Sequence, residues 1–383
     1  MTHFADDDLV LFYYGEHPHP VDVERHLQEC LDCGRLSETI SRTLTRIALP
    51  PPPELDADLS ARILTQVRNR IVRSERRPLA TAATAAAVWL VPLLYPLSFR
   101  VVVNGFPLAA VLLWTLSGPG IAVLVLNAIR DRGDDVRRRF VALGALLATV
   151  SPALFILTAR SGLGLPLWYA TTALGAIAAF LPLPELAESA RLCRIHRFSG
   201  VAIALFAAGH IVNQAAAIVS VPAHAAVADV LRSVYRQPLV EMSLLAAIAL
   251  QVMTGVTMWR THVRRATFAG SVQAVSGFYL AAFFLGHVAA VVLARYHQLE
   301  TDFVWAAGRR GLLASQGSMP LLPYYLLGIM ALFVHAGVYA RVAALRFMPE
   351  SIVRRLSYAA LAFGGVTVVT VALALCGIHL IPS

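Results

Sequence analysis

The 383-residue chain is 57% hydrophobic and only 14% charged, with a mean hydropathy of +0.65. These values exclude an ordinary soluble enzyme and describe a polytopic membrane protein. All 32 basic side chains behind the net charge of +9 are arginines; they sit in short loops between apolar runs, where the positive-inside rule accounts for them without nucleic-acid binding.

Residues 1–49 read as a small polar head, with helical patterning at Leu9–Phe12, Val21–Leu31 and Leu36–Ile47. So short a head buries little core. Within it, His26, Cys30 and Cys33 follow the spacing H-x3-C-x2-C, one imidazole and two thiols beside a helix end. That set suits tetrahedral zinc, with bonds of about 2.0–2.3 Å. His3 is the best fourth ligand; His17 and His19 are weaker, since Pro18 and Pro20 hold them in an extended loop. Two of the four cysteines are thus metal ligands, which favours a reducing compartment over a disulfide scaffold. The acidic, polar first residues are not those of a signal peptide.

Residues 50–78 are a linker: Pro50–Pro53 is stiff and extended, and Leu55, Leu59, Ile63, Val67 and Ile71 then repeat at i+4 as an amphipathic helix. From Leu79 onward about nine apolar runs reach the roughly 20 residues that a span needs. They lie near 79–98, 106–128, 140–160, 166–185, 198–220, 238–259, 273–294, 321–343 and 357–380. The expected fold is therefore all-α: a zinc-stapled helical head, a four-span region (79–190) and a five-span bundle (191–383). Arginine clusters at 70–77, 130–139, 191–197, 260–265 and 346–355 alternate with poorer loops, although Arg309 and Arg310 lie in one of the latter. The head is expected in the cytoplasm and the C-terminus outside.

The run His3-Phe4-Ala5-Asp6-Asp7-Asp8-Leu9, then Tyr14-Gly15-Glu16, then His26-x3-Cys30-x2-Cys33 closely resembles the zinc-binding anti-sigma domain of bacteria. The resemblance continues into the proline linker and the helix after it. It implies zinc on His3, His26, Cys30 and Cys33, an extracytoplasmic-function sigma factor as partner, and a bacterial inner membrane.

Ligand-type side chains at bilayer depth each call for a partner. With a rise of about 1.5 Å per residue, His210 and His287 lie about 18 and 21 Å from the cytoplasmic ends of their spans, and Gln251 and His335 both about 12 Å. Two imidazoles at one level on different helices suit bis-histidine haem ligation, with Gly209 and Gly286 leaving room for a flat macrocycle; polar bonding between helices is the competing reading. Arg194-Ile195-His196-Arg197-Phe198-Ser199-Gly200 with Gly209-His210-Ile211-Val212-Asn213-Gln214 resembles the opening helix of succinate dehydrogenase or fumarate reductase cytochrome b subunits. Gln273–Leu280 leading to His287, and Pro323–Gly328 leading to His335, resemble its later helices.

Over residues 194–345 this resemblance implies haem b held by His210 and His287. Gln251 stands where a di-haem member has histidine, leaving His335 without an imidazole partner. That implies one haem, or a five-coordinate or vacant second site. The resemblance also allows quinone, redox subunits and membrane lipid as partners. For Arg295, His297, Glu300, Asp302, Arg236 and Glu241, loop salt bridges rank ahead of propionate pairing. No catalytic constellation is visible. The leading expectation is a membrane-anchored anti-sigma-type regulator with a redox-sensing bundle; the alternative is a haem-carrying electron-transfer subunit.

Overall fold

The computed structural model describes residues 3–47, 78–103, 107–129, 136–160, 164–178, 189–264 and 267–381. The expected proline linker and amphipathic helix lie outside them. The described residues contain helices and no strands, in two compact units, 1–77 and 78–383.

The first unit holds α1 (Asp6–Tyr13), α2 (Pro20–Glu29) and α3 (Leu31–Ile47). Asp6, Asp7 and Asp8 crowd the first turn of α1, where negative charge complements the helix dipole. Pro20 opens α2 at a position where its missing N–H costs nothing. The expected second helix ends sooner than its patterning implied: Cys30 is extended (φ −112°, ψ 106°) and separates α2 from α3. Among the described residues, the buried apolar side chains of this unit are Leu9, Val23 and Cys33. Such a core is small for three helices.

The second unit contains α4 (Pro78–Val103), α5 (Leu108–Ala128), α6 (Val136–Arg160), α7 (Gly164–Ala178), α8 (Ala190–Ala216), α9 (Val221–Tyr235) and α10 (Pro238–Arg264). It continues with α11 (Phe268–Tyr296), the short α12 (Phe303–Ala307), α13 (Leu321–Ala344) and α14 (Glu350–Leu375). Seven of these, α5, α6, α8, α10, α11, α13 and α14, are long and apolar enough to cross a membrane. Each of the nine expected runs overlaps a described helix. However, α4 offers only the shorter apolar stretch Ala86–Ser98 among its described side chains, and α7 has 15 residues. At about 1.5 Å per residue the 15 described residues of α7 cover about 22 Å of a hydrocarbon core about 30 Å thick.

Prolines inside the first helices leave carbonyls without their helical donors. Pro96 cannot donate to the carbonyl of Pro92, four residues back, and the indole N–H of Trp168 donates to it instead at 3.0 Å. Pro152 likewise removes the donor to the Ala148 carbonyl, and Gly118 of α5 packs so closely there that a Cβ would come within 2.8 Å of that oxygen. Trp89, Val125, Leu126 and Val141 form one core, joined by Val275 of α11. Tyr95, Val111 and Trp168 form another.

A third core, which includes Tyr279, Phe303, Tyr324, Leu327 and Val371, runs through the later helices. α11 packs on α5, α6, α10 and α13, so it joins the four earlier helices to the rest. Tyr279 donates to the carbonyl of Tyr324 (2.8 Å), and Tyr324 donates to that of Phe283 (3.3 Å), pinning α11 to α13. α8, α11 and α14 run from one side of the bundle, the near side, to the far side; α10 and α13 return. On the far side, Leu380 and Ile381 donate backbone hydrogen bonds to Ile218 and Val219 (2.7 and 2.9 Å), tying the chain's last residues to the end of α8.

Candidate metal centre and histidine pairs

In the head, the helix break at Cys30 creates the site. His26 lies in the last turn of α2, Cys30 in the break and Cys33 in the first turn of α3, while His3 arrives from the strand-like segment before α1. The ligand atoms of His3, His26, Cys30 and Cys33 all lie within 4.8 Å of one another. His3 Nδ1 is 3.3 Å from Cys33 Sγ and 3.5 Å from Cys30 Sγ. Bonds of about 2.0–2.3 Å in a tetrahedron give edges of about 3.3–3.8 Å, so these separations match a metal's demands. His26 Nε2 is buried without a hydrogen-bond partner, the state of a nitrogen kept for a ligand. Phe4 packs edge-on against the His26 ring at 5.1 Å and orients it.

The two thiols are inequivalent. Cys30 lies below its ordinary pKa, chiefly because the Cys33 backbone N–H points at its sulfur, whereas burial pushes Cys33 up. This group could hold a metal ion and is compatible with zinc. Of the weaker candidates, His17 is turned to Asp8 at 3.8 Å, and His19 stands at the N-cap position of α2.

In the second unit four histidines, His196 among them, form two pairs. On α8 and α11, the rings of His210 and His287 have centres 6.0 Å apart. Each is stacked on a phenylalanine four residues earlier, His210 on Phe206 at 5.6 Å and His287 on Phe283 at 5.2 Å. Phe283 is held because Gly328 of α13 leaves it space; a Cβ there would lie 2.6 Å from the ring. Neither imidazole has a hydrogen-bond partner among the described residues. A metal bound by two imidazoles at about 2.0 Å, with about 1.1 Å from each nitrogen to its ring centre, holds the centres about 6 Å apart. The observed separation of the centres, 6.0 Å, equals that spacing. Gly209 and Gly286 do not supply the room expected of them: a Cβ at Gly209 would meet Leu231, and one at Gly286 would meet Tyr324 and Leu157.

His335 does have an imidazole neighbour, and it is His196, at 6.4 Å between ring centres. Sequence reasoning placed His196 before the start of its span, at residue 198, but α8 begins at Ala190. The fourteen residues from His196 to His210, almost four turns, were the available signal that both share one face. This pair differs chemically from the first. Gln251 donates to His196 Nε2 (3.1 Å) and His196 Nδ1 bonds Thr254 (2.8 Å). Gln273 donates to His335 Nε2 (3.1 Å) and Nδ1 bonds Ser276 (3.2 Å). Ser199 donates to Gln251 Oε1 at 2.6 Å and fixes the amide. With both nitrogens of each ring engaged, this pair does not fit axial ligation as it stands.

Among the far-side charges, Arg295 pairs with Glu241, as expected of loop salt bridges, and Asp302 caps α12 by accepting from Trp305 N (2.7 Å). A groove of about 670 Å³ between α8 and α10, lined by Arg191, Arg194, Phe198, Ser199 and Leu250, opens beside the His196 network. Fold and site together define a multi-pass helical membrane protein with a His/Cys group suited to a metal. Comparison of the chain with family models, curated proteins and solved structures gives no match.

Proposed function

We propose that the chain is a membrane-anchored, zinc-binding regulator of the anti-sigma type, whose bundle carries one haem b between His210 and His287 as its redox input. The head would lie in the cytoplasm of a bacterium, below the inner membrane, and hold an extracytoplasmic-function sigma factor. The observation that carries this reading is the convergence of His3, His26, Cys30 and Cys33 in a separate N-terminal unit. Zinc there is structural: four protein ligands leave no open position for chemistry. Tyr14, Val21 and Leu31, at 60%, 65% and 79% exposure, give the head apolar side chains for a protein partner. The groove beside Arg191 and Arg194 suits a membrane lipid.

Haem, when bound, would supply one-electron chemistry; His210 and His287 would hold it and the stacked Phe206 and Phe283 would fix their rings. The second reading, a haem-carrying electron-transfer subunit with the head as a docking module, is favoured by the unbonded His210–His287 pair alone. One experiment separates them. The full-length protein, purified in detergent with a co-expressed sigma factor, is assayed for zinc, visible spectrum and bound sigma. Zinc with sigma retained supports the regulator. Zinc and haem without sigma sinks it in favour of the electron-transfer subunit.

A further inference from the structure

On the far side of the bundle, beyond His210, three polar side chains converge with bonding capacity left over. Asn213 lies one turn after His210 on the same face of α8 and is 7% exposed. Its amide nitrogen is 3.1 Å from His224 Nε2 on α9, while its Oδ1 is buried without a partner. His224 is 4% exposed, packs 5.2 Å from the Phe303 ring and lies within electrostatic reach of His210. Two turns further along α9, Arg232 donates from Nη2 to the Thr301 carbonyl (2.9 Å) and lies 3.8 Å from Asp229; its Nε is buried without a partner.

A buried N–H and a buried amide end, both unpaired, mark a place where an acceptor-rich group belongs. The guanidinium gives that group its sign: it is an anion, and carboxylate is what a guanidinium edge binds best. Turning the Asn213 amide over lets Oδ1 accept from His224 Nε2–H and presents an N–H to a carboxylate of its own. Burial and the neighbouring Arg232 cation hold His224 below its ordinary pKa, against Asp302, so its ring is neutral and adds no competing charge.

We propose that Asn213, His224 and Arg232 form a carboxylate clamp that receives the propionates of the haem held by His210 and His287, with those propionates turned to the far side. The clamp rests on the haem reading, and it adds an orientation and three positioning residues that none of the axial ligands supplies. Arg232 offsets negative charge close to the iron, which favours the ferrous form.

The test uses the full-length protein in detergent, titrated potentiometrically while the haem bands are followed. Arg232→Gln should keep the bands and shift the redox equilibrium about tenfold toward ferric, about 59 mV for one electron. Arg232→Lys should restore most of the shift. Protein made without haem and loaded in vitro should prefer haem over its dimethyl ester at least tenfold, a comparison that needs no variant. Unchanged potentials together with equal affinity for the ester would overturn the clamp while leaving the haem, provided His210→Ala still abolishes the bands. A colourless wild-type protein that takes up neither porphyrin would remove the haem reading and the clamp together.

Discussion

Gly277→Ala tests whether the His196–His335 pair is a structural network. A Cβ at this position would lie 2.8 Å from His335 Cε1 and 3.2 Å from Nδ1. The ring cannot yield cheaply, because Gln273 and Ser276 hold both its nitrogens. Losing two hydrogen bonds costs about 0.5–1.5 kcal/mol each, and more where a buried group is left unpaired. Against this, replacing a helical glycine by alanine gains about 1 kcal/mol. The balance is a loss of about 2 kcal/mol, read as a lower unfolding midpoint of the full-length protein in detergent. Gly255→Ala is the graded control: its Cβ would stand 3.3 Å from His196 Cε1, so a small movement suffices and the helix gain should nearly cancel the cost. Haem content, if it belongs to His210 and His287, should be untouched in both. A Gly277→Ala protein more stable than wild type would refute the network, because that is how a helical glycine facing open space behaves.

Three further outcomes are expected. Trp168→Phe should destabilise by about 1–3 kcal/mol by stranding the buried Pro92 carbonyl, and much less in a Pro96→Ala background, where a backbone N–H returns; strict additivity in thermal unfolding would sink this account. Gly118→Val should disrupt the packing of α5 on α6, since even a Cβ approaches the Ala148 carbonyl to 2.8 Å; a protein that purifies with wild-type yield and melting point would contradict it. Metal analysis of the full-length chain should give one zinc per polypeptide, lost in Cys33→Ala and in His3→Ala but retained in His17→Ala and His19→Ala; zinc that survives His3→Ala would reassign the fourth ligand.

The metal group was legible because its ligands are local. His26, Cys30 and Cys33 span eight residues, and spacing alone brings them to one helix end; His3 followed from the need for a fourth donor. What spacing did not reveal was the break at Cys30, where one extended residue turns two helices so that their ligands converge. Seven of the nine expected spans were legible from length and hydropathy, but α9, between two expected spans, was not anticipated. Its signals were there: Ser220 as N-cap, bonded to Ala223 N at 3.1 Å, and Pro222 in the first turn. The partner of His335 was missed for a different reason. Depth was counted from predicted span ends, and extending α8 back to Ala190 brings His196 inside the bundle.

The two histidine pairs show why ring separation does not by itself define a cofactor site. Their centres differ by only 0.4 Å, 6.0 against 6.4 Å. The difference lies in the neighbouring side chains. His196 and His335 face Gln251, Thr254, Gln273 and Ser276, whose amides and hydroxyls can satisfy every imidazole nitrogen. His210 and His287 are flanked by Phe206 and Phe283, which stack on the rings and offer them no hydrogen bond. In an apolar bundle a polar side chain calls for a partner, and His210 and His287 have none among the described residues. The haem proposed above would supply one, and the phenylalanines would then hold the imidazoles in place for it. The same logic separates the polar pair: converting Gln251 to histidine would add an imidazole but leave Gln273 and Ser276 closed on His335, so that change alone should not create a second axial site.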